Sequence, residues 1–183
     1  AASDVYKRQR KRFSLMRASG ILMPISSLPS AHGIGAMGAE ARRFVEFLSK
    51  AGQAYWQILP ICPTSYGDSP YQSFSTFAGN PYFIDLDDLA KQGLLLPEEY
   101  ASIDWECTPD CINYGVMYEK RYAVLRCAAK RLLAKPGADY RRFVKENDFW
   151  LPDYALFMAL KDAHNGACWL EWEEPLRLSL IHI

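Results

Sequence analysis

Apolar and polar positions fall in blocks along this chain, and the block lengths separate strands from helices. Gly20-Ile21-Leu22-Met23-Pro24-Ile25 is a short apolar run closed by Ser26-Ser27-Leu28-Pro29, the pattern of a buried strand running into a turn. After the loop Ser30-Ala31-His32-Gly33-Ile34-Gly35, the residues Ala41, Phe44, Val45 and Leu48 recur at i, i+3, i+4 and i+7. That spacing predicts a helix over 39–51 with one apolar face, and Gly52 suits the position just past its end. Tyr55-Trp56-Gln57-Ile58-Leu59-Pro60-Ile61 then predicts a second strand. Strand, helix and strand with nearly continuous apolar strands make a βαβ unit, which implies a parallel sheet with covered faces.

The remainder reads as helical. Asp87 to Gly93 predicts a short capped helix, and Pro97-Glu98-Glu99-Tyr100 another that begins at proline. A long helix is expected over 113–135, with Tyr114, Tyr118, Tyr122, Leu125, Ala129 and Leu132 on one side and Pro136-Gly137 ending it. Tyr140, Phe143 and Val144 mark the next, and Asp148 or Pro152 opens a last one through Phe157 and Leu160 to Asn165-Gly166. Their aromatic residues read as core rather than as a cofactor box. The fold class is therefore α/β, the start of an α/β domain with a mainly helical insertion. A closed βα barrel needs eight strands and roughly 250 residues, and with two credible strands this chain is too short to close one. The reading divides the chain into a βαβ unit with its loop at 11–86 and a helical subdomain at 87–177. The strings at 1–10 and 178–183 are read as non-native tails, and the chain as a fragment.

Between the second strand and the helices lies Tyr66-Gly67-Asp68-Ser69-Pro70-Tyr71-Gln72-Ser73, continuing to Phe77-Ala78-Gly79-Asn80-Pro81-Tyr82. In a βα barrel such a loop, after the C-terminal end of a strand, is where function sits. The rings of Tyr71, Phe74, Phe77 and Tyr82 stand among hydroxyls and amides. This composition suits a sugar, whose C–H faces stack on rings while its hydroxyls need polar partners such as Ser69 and Asp68. A long loop packed by its own side chains accounts for the same composition. Asp68 and Asn80 also fit a bracing role, Asp68 through an Asx-type turn.

Composition narrows the classes further. The chain has 21 basic and 21 acidic residues among 183, so it lacks the excess cations that non-specific nucleic-acid binding requires. No apolar run approaches the roughly 20 residues that cross a bilayer. Five scattered cysteines, including Cys107 and Cys111, form no CxxC pair and no zinc ligand set, and suit thiols in a reducing cytosol. No Ser-His-Asp logic connects His32, His164 and His182. No metal or cofactor is expected.

Ile21 to Ser30, then His32-Gly33-Ile34-Gly35, and above all YGDSPYQS followed by FAGNPY resemble the N-terminal part of the 4-alpha-glucanotransferases of glycoside hydrolase family 77, the amylomaltases or disproportionating enzymes. Trp169 to Arg177 resembles a Trp-containing segment that follows the helical insertion in that family. The resemblance implies a cytoplasmic retaining transglycosylase acting on malto-oligosaccharides and α-1,4-glucans, without cofactor and without nucleic-acid or membrane partners. It also implies a (β/α)8 TIM barrel with helical insertions, of which this chain is the N-terminal part with the barrel incomplete. Such an enzyme moves a glucan segment to the 4-hydroxyl of an acceptor sugar. Retention needs a carboxylate nucleophile and a second carboxyl about 5 Å away. The family's motifs for these groups are missing here, so catalytic residues are expected to be absent and the fragment inactive alone. Substrate contacts carry over to Tyr71, which would stack on the sugar at the cleavage point, to Ser69 beside it, to Tyr66 on a more distant glucan surface, and to Asp68. A binding module without chemistry and an interaction domain on the helices of 113–166 are the alternative classes.

Overall fold

A short parallel pairing organises the N-terminal part of the computed structural model, which describes residues 17–65, 67–108 and 110–179. Strand β1, Gly20–Leu22, pairs with β2, Tyr55–Gln57, in the register Gly20 with Tyr55, Ile21 with Trp56 and Leu22 with Gln57. Helix α1, Ala39–Lys50, makes the crossover. It ends as the glycine predicts: Gly52 takes φ +68°, its N–H bonds Ser49 O at 3.1 Å, and Gln53 N–H bonds Leu48 O at 2.9 Å. Phe44 of α1 meets the ring of Trp56 edge-on at 5.0 Å, so the helix lies over the sheet.

Both strands are shorter than their apolar runs. The ladder's last bond runs from Met23 N–H to Gln57 O at 2.9 Å. The Met23 carbonyl is then taken by the Trp56 indole N–H at 2.8 Å, and Pro24, which has no N–H to give, leads into a 3₁₀ turn at Ile25–Ser27. Residues 58–61 continue without a partner strand among the described residues.

Helix α2, Leu86–Lys91, is capped by Asp85, whose carboxylate accepts from Asp88 N–H at 2.8 Å; the sequence placed this cap two residues later. Pro97–Glu99 is one 3₁₀ turn. The long helix α3 runs through Tyr114–Val116, a π-helical stretch at Met117–Arg121, and Tyr122–Ala134. Helices α4, Ala138–Glu146, and α5, Leu151–Ala163, follow near their expected places. A 3₁₀ turn at Trp169–Glu171 and α6, Glu174–Ser179, complete the described chain. The expected tail at 1–10 lies outside the described residues, as does most of that at 178–183.

The main core joins the two parts. Ile34 from the loop after β1, Tyr82, Leu86, Leu95, Tyr100 and Trp105 close around Met117, Val124 and Ala128 of α3. The fully buried line on α3 is thus Met117, Arg121, Val124 and Ala128; of the expected face Tyr114, Tyr118, Tyr122, Leu125, Ala129 and Leu132, the residues Tyr114, Tyr122 and Leu125 are half-buried against this core, while Tyr118 is 55% exposed. The spacings of four, three and four residues along the buried line are those of one helical face, which lies beside the expected one. Gly35 shows how tightly the loop after β1 is folded: a Cβ there would stand 2.0 Å from Ile25 O.

Candidate functional site

The segments leaving β1 and β2 on the same side of the sheet enclose a cavity of about 210 Å³. Pro24, Ile25 and Ser26 line it from the first, Leu59, Pro60 and Thr64 from the second. Asp68, Asn80, Tyr82 and Tyr114 complete its polar wall, and Asp68 is the only acid on it among the described residues.

The loop above is held by its own main chain. Asn80 N–H bonds Ile61 O at 2.7 Å and closes the neck; Ser65 N–H bonds Gln72 O at 3.1 Å further out. Inside this ring Asp68 N–H reaches Ser65 O at 3.0 Å, and Gln72 N–H reaches Ser69 O at 3.1 Å. Gly67 at φ +94° and Asp68 at φ +55° make the turn, two successive left-handed residues of the kinds that tolerate that region. The Gly-Asp pair therefore bends the chain and delivers Ser69 and Tyr71 to the outside.

Three of the four expected contact residues share this turn. The fourth, Tyr66, lies outside the described residues. Tyr71 is 73% exposed, and its ring stacks on no other ring among the described residues. Ser69 Oγ accepts from Tyr71 N–H at 3.4 Å, which leaves the hydroxyl proton free to donate. Asp68 braces the loop by its N–H and its backbone conformation. Its carboxylate makes no hydrogen bond among the described residues, so the expected Asx-type brace is not formed. Half-burial pushes this carboxyl above the ordinary aspartate range. The hydroxyls of Tyr82 and Tyr114 are raised as well, first by burial and further by the Asp68 charge. Asn80 is the bracing residue it was read as: its Oδ1 accepts from Tyr82 N–H at 2.9 Å.

The four rings of the loop divide. Tyr71 faces outward, whereas Tyr82 is buried in the core at 5% exposure. Phe74 packs on Tyr154 and Phe157, and Phe77 on Phe149 and Trp150. Sequence reasoning missed these partners across the chain; the recurrence of aromatics at 150, 154 and 157, one helical face, was the available signal. Among the described residues no three His, Cys, Asp or Glu side chains converge as a metal site would require. No described helix is long and apolar enough to cross a membrane.

The 4-alpha-glucanotransferase family model of glycoside hydrolase family 77 matches residues 23–179. The chain belongs to this family. It is 48% identical over 156 residues to a 4-alpha-glucanotransferase of Clostridium butyricum, covering 85% of this chain and 32% of that protein. The corresponding enzyme of Thermus thermophilus is 46% identical over 167 residues, with 89% and 32% covered. Among solved structures, an amylomaltase of Streptococcus agalactiae in complex with acarbose superposes with a TM-score of 0.81 at 42% identity, over 87% of this chain and 32% of that one. The chain spans about a third of the length of the curated relatives it matches.

Proposed function

We propose that this chain is the glucan-binding N-terminal portion of a 4-alpha-glucanotransferase, in which β1 and β2 are the first two strands of a (β/α)8 barrel and the helices from α2 onward form its insertion. The single observation that carries this reading is the turn at 67–72. It stands beyond the C-terminal ends of two parallel strands, where barrels keep their sites. There it offers an open aromatic ring, a free hydroxyl and an unpaired carboxylate beside a mostly apolar cavity. Tyr71 covers the apolar face of the sugar at the cleavage point and keeps water from it. Ser69 donates to a sugar hydroxyl, and Asp68 accepts one. Tyr66 extends the contact along a longer malto-oligosaccharide or α-1,4-glucan.

One carboxylate cannot run a retaining exchange, which needs a nucleophile and an acid/base about 5 Å apart. In this reading the chain binds and orients the donor glucan, and the two catalytic carboxylates come from elsewhere in a whole enzyme. Free thiols at all five cysteines fit a reducing compartment such as the cytoplasm.

Tyr71→Ala in the full-length protein carrying this chain tests the reading with maltotriose as substrate. The expected result is a fall in kcat/KM of about tenfold or more. A change within about threefold, under ~0.7 kcal/mol, overturns the stacking role.

A further inference from the structure

We infer that the aromatic face made by Trp150, just before α5, with Tyr154 and Phe157 on it, positions the turn that carries Ser69 and Tyr71, so that these residues govern how the bound glucan partitions between transfer and hydrolysis without touching it. The inference rests on the role given to Tyr71 above.

The described residues of the loop between Cys62 and Asn80 form no helix or strand of their own. Its main-chain bonds fix the inner turn and the neck, but they do not fix the loop relative to the rest of the protein. That task falls to Phe74 and Phe77. Phe77 stacks on Trp150 with centroids 5.7 Å apart and planes at 22°, and meets Phe149 edge-on at 5.4 Å. Phe74 stacks on Tyr154 at 6.4 Å and 14°, and contacts Phe157 at 6.1 Å. The loop thus runs antiparallel to α5, with rings three residues apart seated on a helix whose own rings are spaced by four and three.

The helical face is itself held firmly. Trp150 contacts Tyr154 at 5.8 Å, and its indole N–H donates to Asn147 Oδ1 at 2.8 Å. At the other end Phe157 packs on Trp172 at 5.9 Å, a ring only 4% exposed whose N–H donates to Ala167 O at 3.2 Å. Burial also raises the Tyr154 hydroxyl above its ordinary value, as expected for a ring that the loop keeps from water. Phe74 lies three residues beyond Tyr71, so a shift of its seat moves the outward ring almost directly. If Tyr71 keeps water from the reacting sugar, loosening the seat admits water and favours hydrolysis over transfer.

The test uses the full-length protein carrying this chain and maltotriose, with the transfer-to-hydrolysis ratio as readout. A protein that has merely lost stability loses both products in proportion and keeps the ratio. Tyr154→Leu and Phe74→Leu are each expected to lower it by roughly fivefold, Tyr154→Phe to hold it within about twofold, and the double leucine variant to fall no further than either single one. If Tyr154→Leu does not fold, Phe74→Leu, a change on the loop itself, decides alone. A ratio within about twofold of the parent in the leucine variants overturns the inference, whatever Tyr71→Ala does. Shifted leucine variants beside an unshifted Tyr71→Ala sink the earlier reading of Tyr71 while leaving the positioning by α5 standing.

Discussion

The guanidinium of Arg121 donates from Nη1 to the main-chain carbonyl of His32, 3.0 Å away and 89 positions earlier in the chain. Nη2 donates to Ile84 O at 2.6 Å, the Trp105 ring stands 5.9 Å from the guanidinium carbon, and Nε is buried without a partner. No carboxylate pairs with this fully buried cation among the described residues, and burial pushes its pKa down to about 10. It remains charged near neutrality and serves as a two-pronged tie between the loop after β1 and the segment entering α2.

Replacing Arg121 therefore removes a buried charge and leaves two part-buried carbonyls without its donors at once. Arg121→Lys can serve one carbonyl at most, and Arg121→Met neither. Each unmade bond costs about 1–3 kcal/mol, so Arg121→Lys is expected to lose about 1–3 kcal/mol and Arg121→Met about 2–6 kcal/mol. Urea unfolding of the full-length protein at neutral pH measures this, and a loss below about 0.5 kcal/mol in both would show that the tie is dispensable.

Acid stability should depend on Glu99. Its carboxylate accepts both arms of Arg131 at 2.6 Å and the Leu96 N–H at 2.8 Å. The Arg131 hydrogen bonds lead in lowering its pKa from 4.5 to about 2. A depressed carboxylate stabilises fully above the unfolded value and loses that contribution as pH falls through the folded one. Unfolding midpoints should therefore drop between pH 4.5 and 2, and less steeply in Glu99→Gln. Parallel curves for the two proteins would rule this out.

His164 has the opposite sign. Its Nδ1–H donates to Leu160 O at 2.7 Å, Nε2 lies 3.3 Å from Glu173 Oε2, and the ring stacks on Trp172 at 4.7 Å. The Leu160 carbonyl and then Glu173 favour the imidazolium and raise the pKa above 6.5. Its stabilising contribution is complete below 6.5 and fades as pH rises through the raised folded value. NMR titration of the ring should give a midpoint above 6.5 that falls in Glu173→Gln; a midpoint at or below 6.5 in the parent contradicts the geometry.

On its own, the 183-residue chain should bind ANS strongly and melt without a sharp transition. Leu22 and Tyr55 on the two strands are 57% and 67% exposed, and Phe149 on the α5 side is 71% exposed. A steep cooperative melt with no dye binding would mean that these surfaces do not loosen the core.

How much of this was legible beforehand depends on whether the deciding contact is local. The end of α1 could be read because Gly52 answers a local need, and so could the end of α5, where Asn165 takes φ +54° and Gly166 N–H returns to Lys161 O at 2.8 Å. The βαβ order followed from block lengths, yet the strand ends did not, since the Trp56 indole takes the Met23 carbonyl across 33 positions of sequence. In the site, Ser69 and Tyr71 could be picked out by residue type. The division of labour among Tyr71, Phe74, Phe77 and Tyr82 could not, because a ring that packs and a ring that stacks on sugar have the same composition. Arg121 was hidden most deeply: a cation is ordinarily a solvent-side residue, and only its contacts with distant carbonyls show why this one is buried.

The π-stretch at Met117–Arg121 gives α3 a reading frame. Met117, Arg121, Val124 and Ala128, four, three and four residues apart, set one buried line that runs on from this stretch. Deleting any one residue from 117–121 would swing everything after it by about 100° relative to what precedes it. Val124 and Ala128 would turn out of the core while Tyr114 kept its place at the cavity. Length changes here should thus be tolerated far less well than side-chain changes, a frameshift written in three dimensions rather than in codons.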